Sequence, residues 1–416
     1  MVIFSIVAAA SLFAFKSLID VAGNLNETAS YSEIEMSVVV PTNSSISDVT
    51  ELSSVQAPTG ADGSNIEALL SQIKSDKGVN LTTDTVDSYQ AAYENLINGS
   101  SQAMVLNSAY SSLLELSYDN YESNLKTIYT YKVKKNISND VSSSNKNVFN
   151  IYISGIDTYG SISTVSRSDV NIILTVNMDT HKILMTSTPR DSYVQIPDGG
   201  ANQYDKLTHA GIYGVETSEK TLENLYGIDI DYYARVNFTS FMNLIDAIGG
   251  VTVYNDQAFT SSAGDSFEAG NINLNSDEAL GFVRERYSLD NGDYDRGKNQ
   301  LKVIQAIINK LTSFSSISNY SSIMSTLQDS VQTDMPLDTM MDLANTQLDS
   351  GKKFTITSQE VTGTGSTGEL TSYAMPTASL YMIQLDDASV SSASQAIKDV
   401  MEGEIDIEFT RISFLM

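Results

Sequence analysis

Seven arginines occur in 416 residues, and six of them lie between positions 167 and 296: Arg167, Arg190, Arg235, Arg284, Arg286 and Arg296. The chain around them is acidic, with a formal net charge of −27. Arginine presents a planar fork of five donors and stays charged, so it grips phosphate oxygens in pairs. A chain that concentrates arginine in one region has the means to hold a polyanion there. Asp169, Asp191, Asp293 and Asp295 interleave with these arginines. Carboxylates beside phosphate-binding arginines suit a bridging divalent metal. Structural Arg–Asp ion pairs are the competing use of the same residues, and composition does not separate the two.

Spacing adds detail. Arg167 and Asp169 are two apart, so in an extended segment their side chains point the same way. Asp157 ends a hydrophobic run, and Arg190 with Asp191 follows another after Pro189. Sites in α/β folds collect at such strand ends. Arg284 and Arg286 cannot share a helical face, because two residues turn a helix by about 200°. They converge only where the helix unwinds, and the YSLDNG run (287–292) suits such an end. Arg296 and Gln300 are four apart at the start of the next helix, a cradle for an anion near its positive end.

The acidic balance argues against nucleic acid as a partner, since a phosphate backbone demands a broad basic face. Cysteine is absent, which removes disulfides, thiolate metal sites and thiol nucleophiles. The two histidines, His181 and His209, are too few for a His-rich zinc site and leave two candidate bases for a serine triad. His209 reads as structural.

These residues need a scaffold. The first fifteen residues are uncharged and almost all apolar, and continuing to Ala22 approaches membrane-spanning length. Residues 1–22 are therefore expected to form a transmembrane anchor, shortened at its N-terminus, with a buried core helix as the competing reading. No basic stretch marks a complete signal peptide. Residues 23–136 mix a strand (33–41), helices (65–78 and 86–100), a strand and helix (101–116) and an alternating strand (124–136) into a small α/β domain. Residues 137–147 form a polar linker. From 148 to 416, strands at 148–157, 170–177, 182–189, 231–238 and 251–255 alternate with helices. Those include 238–251, 274–287 with a capping box of Asn275 and Glu278, 296–311, two stretches at 319–331 and 336–348, and one near 393–403. TGTGSTGEL (362–370) reads as a loop. The predicted class is α/β, a central sheet flanked by helices behind a smaller α/β domain.

The runs ISGIDTYGSISTVSRSDVNIILTVN (153–177), TSTPRDSYVQIPDGG (186–200), DKLTHAGIYG (205–214), VNFTSFMNLIDAIGGV (236–251) and GFVRERYSLDNGDYDRGKNQ (281–300) resemble the LytR-CpsA-Psr family of Gram-positive cell envelopes. The resemblance is dense over residues 148–312, and residues 30–135 resemble the accessory domain of capsule-associated members. It implies a central mixed sheet. It also implies a membrane-anchored, extracytoplasmic phosphotransferase that moves a glycopolymer, capsular polysaccharide or teichoic acid, from undecaprenyl pyrophosphate to peptidoglycan. By the same resemblance Asp157 and Asp169 hold Mg²⁺ (or Mn²⁺). Arg167, Arg190, Arg284, Arg286 and Arg296 surround the pyrophosphate with Gln300, and Asp293 is the acid of a Gly-Asp-X-Gly-Arg-X-X-Arg-Gln signature. Here Asp295 replaces a glycine and Asn299 an arginine, with Lys298 as a candidate substitute. Lys206 and Arg235 fall in family-like segments.

The chemistry is consistent with this. Attack on pyrophosphate needs its charge neutralised, which the arginines would supply, while Asp293 accepts the proton of a sugar hydroxyl. The lipid would need an apolar slot, for which the FTSFMNLIDAI helix and the IYISGI and IILTV strands are candidates, against their ordinary use as core. Hydrolysis of the pyrophosphate is a rival outcome. A non-catalytic binding or regulatory role in capsule synthesis is another. The 23–136 region could bind glycan or a synthesis enzyme through its tyrosines.

Overall fold

The computed structural model describes residues 31–136, 147–156, 158–159, 161–312 and 331–403. The expected anchor (1–22), most of the linker, Asp157 and the helical stretch at 319–331 (apart from Val331) fall outside them. Among the described residues no helix is long and apolar enough to cross a membrane. This corrects the expectation of a cell-membrane location with an extracytoplasmic domain.

In the first region, alternating side chains of β1 (Tyr31–Pro41) bury Ile34, Met36, Val38 and Val40. The sheet is completed by β2 (Ser54–Ala57), β3 (Thr82–Thr85), β4 (Met104–Asn107) and β5 (Leu125–Asn136), in the order β3-β2-β4-β1-β5. Three helices pack on it: α1 (Thr59–Lys77), α2 (Tyr89–Ile97) and α3 (Ser111–Ser117). Helix α1 starts six residues earlier than its apolar spacing predicts. It kinks at Asp62, whose buried carboxylate accepts hydrogen bonds from Tyr89 Oη (2.6 Å), Asn65 Nδ2 (2.6 Å) and Asn107 Nδ2 (2.8 Å). These tertiary bonds hold the turn that local composition assigns to a loop.

The second region is built on a six-stranded mixed sheet. Its centre is an antiparallel meander of β6 (Val148–Ile156), β7 (Ser168–Asn177) and β8 (Lys182–Ser187). A hairpin of β9 (Tyr193–Ile196) and β10 (Gln203–Lys206) leads into α4 (Leu207–Ala210) and α5 (Val215–Tyr226). Strand β11 (Tyr232–Val236) runs parallel to β6. Helix α6 (Phe238–Ala247) and strand β12 (Val251–Asn255) follow, then the hairpin β13 (Phe259–Thr260) and β14 (Ser266–Phe267), and β15 (Gly270–Leu274). Next come α7 (Ser276–Arg284), α8 (Asp293–Thr312), β16 (Val331–Thr333) and α9 (Leu337–Ser350). The chain returns through β17 (Thr355–Glu360), parallel to β8, then β18 (Gly363–Thr367), β19 (Tyr381–Leu385) and α10 (Asp387–Glu402). The sheet order is β16-β11-β6-β7-β8-β17, so the α/β class read from the sequence holds. The TGTGSTGEL run is not a loop: its alternating Thr and Ser side chains form β18, paired antiparallel with β19.

Apolar residues on both sheet faces explain why helices cover both. Tyr152, Ile173 and Leu184 pack with Leu222 and Tyr226 of α5 and Ile397 and Val400 of α10. Phe149, Ile172, Val176 and Met185 pack with Leu301 of α8 on the other side. A third cluster joins α6, α7 and α8 through Ile245, Phe282 and Val303. The two regions share a core, since Val165, Ile212 and Met375 pack with the first region's apolar residues. Strand β1 also hydrogen-bonds the loop before β7, Glu33 N donating to Ser163 O (3.1 Å) and Val165 N to Glu33 O (3.3 Å).

Candidate anion-binding site

The site begins at an irregularity between β6 and β7. Gly155 pairs with Val170 and Ile156 with Ser168, so Asp169 is the extra residue of a bulge. Glycine is needed at 155, because a Cβ there would stand 2.7 Å from Val170 Cγ2. The bulge interrupts the alternation that would place Arg167 and Asp169 side by side. Asp169 instead receives Arg190 Nη1 on Oδ2 at 2.5 Å and Thr208 Oγ1 on Oδ1 at 3.1 Å.

Arg190 and Asp191 stand on a segment held from several sides. Thr188 N donates to Asn171 O (3.0 Å) and Ser192 N to Pro189 O (3.1 Å). Thr208 N donates to Arg190 O (2.9 Å) and Ile383 N to Asp191 O (2.8 Å). The Asp191 carboxylate is buried and takes Lys206 Nζ at 2.6 Å, with Arg190 Nε at 3.5 Å. Lys206 arrives at the end of β10. Arg296, in the first turn of α8, pairs with Asp293. The charges of Arg190 and Arg286 act on both Asp293 and Arg296, and that of Arg167 acts on Lys206. Arg167, Arg190, Arg286, Arg296 and Lys206 thus gather with Asp169, Asp191 and Asp293, an excess of two positive charges among these described residues.

Burial governs the electrostatics. It pushes Asp191 up, but Lys206, Arg190 and Arg296 outweigh it and hold the carboxyl below its ordinary range. Burial lowers Lys206, partly opposed by Asp191, so this lysine releases its proton more easily than a free one. Burial likewise raises Asp293, despite contact with Arg296, and the nearby charge of Asp191 pushes the same way. Arginines held in a dry setting by imperfectly balanced acids are prepared for an anionic ligand.

Other residues singled out by sequence lie differently. Arg284 closes α7, its guanidinium 4.2 Å above the Phe238 ring of α6. The chain leaves helical geometry at Glu285, two residues before the YSLDNG run where the unwinding is expected, and Arg286 then donates to Tyr287 Oη at 2.6 Å. Gln300 donates to Val283 O (3.2 Å), which ties α8 to α7. Arg235 is buried and clamps a loop, donating to Ile162 O (3.3 Å), Thr164 O (2.5 Å) and Gln332 Oε1 (3.1 Å). Burial pulls its value down to about 10. Asp157 is outside the described residues. Asp295 accepts from Asn291 N (2.9 Å), Gln257 Nε2 (3.0 Å) and Lys298 Nζ (3.0 Å), so Lys298 is engaged there. His209 is fully buried, with Nδ1 2.8 Å from Asp205 Oδ1. Thr208 and Glu360 are additions that the sequence reading did not single out. Thr208 touches Asp169, and Glu360 lies against α8 through contacts no motif marks.

Beside Arg284, α6 offers a half-covered apolar face. Phe238, Phe241, Met242 and Leu244 are all only partly buried, and Tyr159 meets Phe238 edge-on with centroids 4.9 Å apart.

Arginines gathered at strand ends of a central sheet stand where α/β proteins build their ligand sites. The chain belongs to the LytR-CpsA-Psr family, whose sequence model (LytR_cpsA_psr) matches residues 110–388. A DNA polymerase processivity factor model matches residues 1–106, about a quarter of the chain. Among relatives, the polyisoprenyl-teichoic acid–peptidoglycan teichoic acid transferase TagU of Oceanobacillus iheyensis is 39% identical over 229 residues, covering 53% of this chain and 69% of the relative. The Bacillus subtilis protein of the same name is 33% identical over 264 residues, covering 63% and 81%. Among solved structures, B. subtilis TagV matches with a TM-score of 0.52 and 25% identity, over 62% of this chain and 98% of that one. Protein gbs0355 from Streptococcus agalactiae matches with a TM-score of 0.54 and 26% identity, over 62% and 88%.

Proposed function

We propose that this chain transfers a glycopolymer, teichoic acid or capsular polysaccharide, from undecaprenyl pyrophosphate to a hydroxyl of peptidoglycan. The observation that carries the reading is the gathering of Arg167, Arg190, Arg286, Arg296 and Lys206, together with Arg284, two residues from Arg286, on the Phe238 ring of the half-covered helix α6. A doubly phosphorylated lipid presents charge and hydrocarbon side by side, and this surface offers a counterpart to each. The TagU relatives are named for transferring polyisoprenyl-linked teichoic acid to peptidoglycan, which supports the teichoic acid form of this reading.

In the reaction the sugar hydroxyl attacks the phosphorus that bears the glycan. The new P–O bond forms as the bond to the bridging oxygen breaks, and polyprenyl phosphate departs. Arg190 and Arg296 stabilise the charge that develops on the phosphoryl oxygens. Asp293 accepts the hydroxyl proton, a role favoured by burial, which makes its carboxylate more basic than usual. Arg286 and Lys206 neutralise the departing phosphate. The hard oxygen donors of Asp169 suit Mg²⁺ or Mn²⁺, with Asp157 as its second carboxylate. Bound there, the ion would supply charge neutralisation on phosphate oxygens.

Incubating the purified chain with radiolabelled lipid-linked glycan, with and without peptidoglycan, tests the reading. Label attached to peptidoglycan, and lost in Arg190→Ala, is the expected result. Polymer released but never attached would make the protein a hydrolase. Full attachment by an Arg190→Ala, Asp169→Ala double variant would leave only a scaffold role.

A further inference from the structure

Glu360 is the last residue of β17 and pairs with Ser187 at the end of β8, three positions before Arg190. Its neighbour Gln359 turns to the other face, donating to Thr186 Oγ1 (2.9 Å) and Ala393 O (3.2 Å). The Glu360 side chain therefore faces α8. There Oε1 occupies the space that a Cβ on Gly297 would fill, and Ser187 Oγ lies 3.7 Å from the same point. Gly297 is the residue next to Arg296. The absence of a side chain at that step of the helix makes a seat for a carboxyl behind the arginine.

We propose that the Glu360 carboxyl, seated on Gly297, is a positioning residue of the arginine site that sets, through Asp293 and Arg296, the net charge an incoming pyrophosphate meets. The inference rests on the functional reading above. Four groups on α8 face it: Lys298 attracts its ionised form, Asp293 and Asp295 repel it, and Tyr294 is affected by its charge. Burial, first, and the two aspartates raise the carboxyl to about 8, against the pull of Lys298. For an acid with a raised value the neutral form prevails below it and the charged form above. Near neutral pH the seat adds no negative charge, and the cationic excess is available to the ligand. Above pH 8 Glu360 ionises, opposes the anion and raises the charge density around Asp293.

The test is calorimetric titration of the full chain with farnesyl pyrophosphate at fixed magnesium between pH 6.5 and 9. Burial loosens the Lys206 proton in both proteins alike, so any alkaline loss from that lysine is common to the two. The loss should be about fivefold smaller in Glu360→Gln, from one charge at short range under partial screening. Parallel pH profiles for the two proteins overturn the inference while leaving the functional reading intact. A wild-type chain that fails to bind farnesyl pyrophosphate at every pH overturns the functional reading instead. A separate ¹³C NMR titration of glutamate-labelled protein decides the matter without ligand. The expected signal titrates near pH 8, vanishes in Glu360→Gln and moves toward the ordinary carboxylate range in Gly297→Ala. A Glu360 carboxyl that titrates as a free glutamate sinks the proposal.

Discussion

Replacing Asp191 with Asn tests whether the acids of the site exist to hold its cations. The carboxylate sits 2.6 Å from Lys206 Nζ and 3.5 Å from Arg190 Nε, with only 5% of its side chain exposed. Asn keeps the shape and one acceptor oxygen but removes the charge, leaving two cations in a dry setting. Breaking a buried pair on one side costs about 3–5 kcal/mol, and the retained oxygen places this variant near 3. At about 2–4 °C per kcal/mol for a large domain, the melting temperature should fall by roughly 6–12 °C. Scanning calorimetry reads this directly. The pH dependence has a defined sign. The folded Asp191 carboxyl is held below its ordinary range, so its contribution is present above about pH 4 and disappears as pH falls through the depressed value. The gap between the two proteins should therefore narrow in acid. Inorganic pyrophosphate adds a second readout. Ligand at one hundred times its dissociation constant contributes about 2.7 kcal/mol. In Asp191→Asn the anion also takes the place of the missing charge, so the same concentration should raise the variant's melting temperature more than the wild type's. A variant that melts within 2 °C of wild type (a threshold of about 1 kcal/mol), or gains no more from pyrophosphate, would refute the reasoning.

Arg284→Ala removes a guanidinium from the face of Phe238, an interaction of about 0.5–1 kcal/mol. Farnesyl pyrophosphate affinity should fall further than that for inorganic pyrophosphate, because Arg284 touches the apolar helix; equal losses would place the prenyl chain elsewhere. Gly155→Ala puts a methyl 2.7 Å from Val170 Cγ2, and such overpacking costs about 1–3 kcal/mol. Urea denaturation should show a lower midpoint at unchanged slope. Asp334 is raised to about 6, chiefly by burial, while its Oδ1 accepts Tyr233 N at 2.8 Å. The folded state holds that proton longer than the unfolded one, so stability is lost as pH rises through 6. Asp334→Asn keeps the acceptor and should stabilise the protein by about 1–2 kcal/mol at pH 7.5 and by little at pH 4, measured by urea denaturation.

The sheet was legible wherever one residue run carried its own signal. VNIILTVN is apolar enough to be buried on both faces, and β7 is the strand sandwiched between β6 and β8. Asn275 and Glu278 form the capping box that their spacing predicts. The misses share a physical cause. TTDT (82–85) is mostly exposed, carries no apolar alternation and belongs to no element read from the sequence; it is an edge strand because β2 pairs with it. The start of α1 depends on Asp62 bonding to Tyr89 and Asn107, 27 and 45 residues away. Partners that distant leave no periodicity in the segment they stabilise.

The arginine site was legible by type and only partly by geometry. Restricting arginine to one stretch of an acidic chain pointed to the region, and four of the six arginines do gather there. The remaining two show what composition omits. Arg235 has the right residue type, yet its donors go to Ile162 O, Thr164 O and Gln332, holding the loop that β1 of the first region also binds. Arg284 faces an aromatic ring instead of a carboxylate. Lys298 has the charge to replace an arginine missing at 299, but Asp295, itself a departure from the signature, engages it. Two substitutions that look like a loss and a repair are thus linked: the new acid captures the nearby lysine, and the anion is left to Arg190, Arg286, Arg296 and Lys206. The proposed polyanion site in this chain is therefore defined by which cations the local acids leave underbalanced. That balance depends on the bulge at Asp169 and the seat at Gly297, two backbone features a list of charges does not contain.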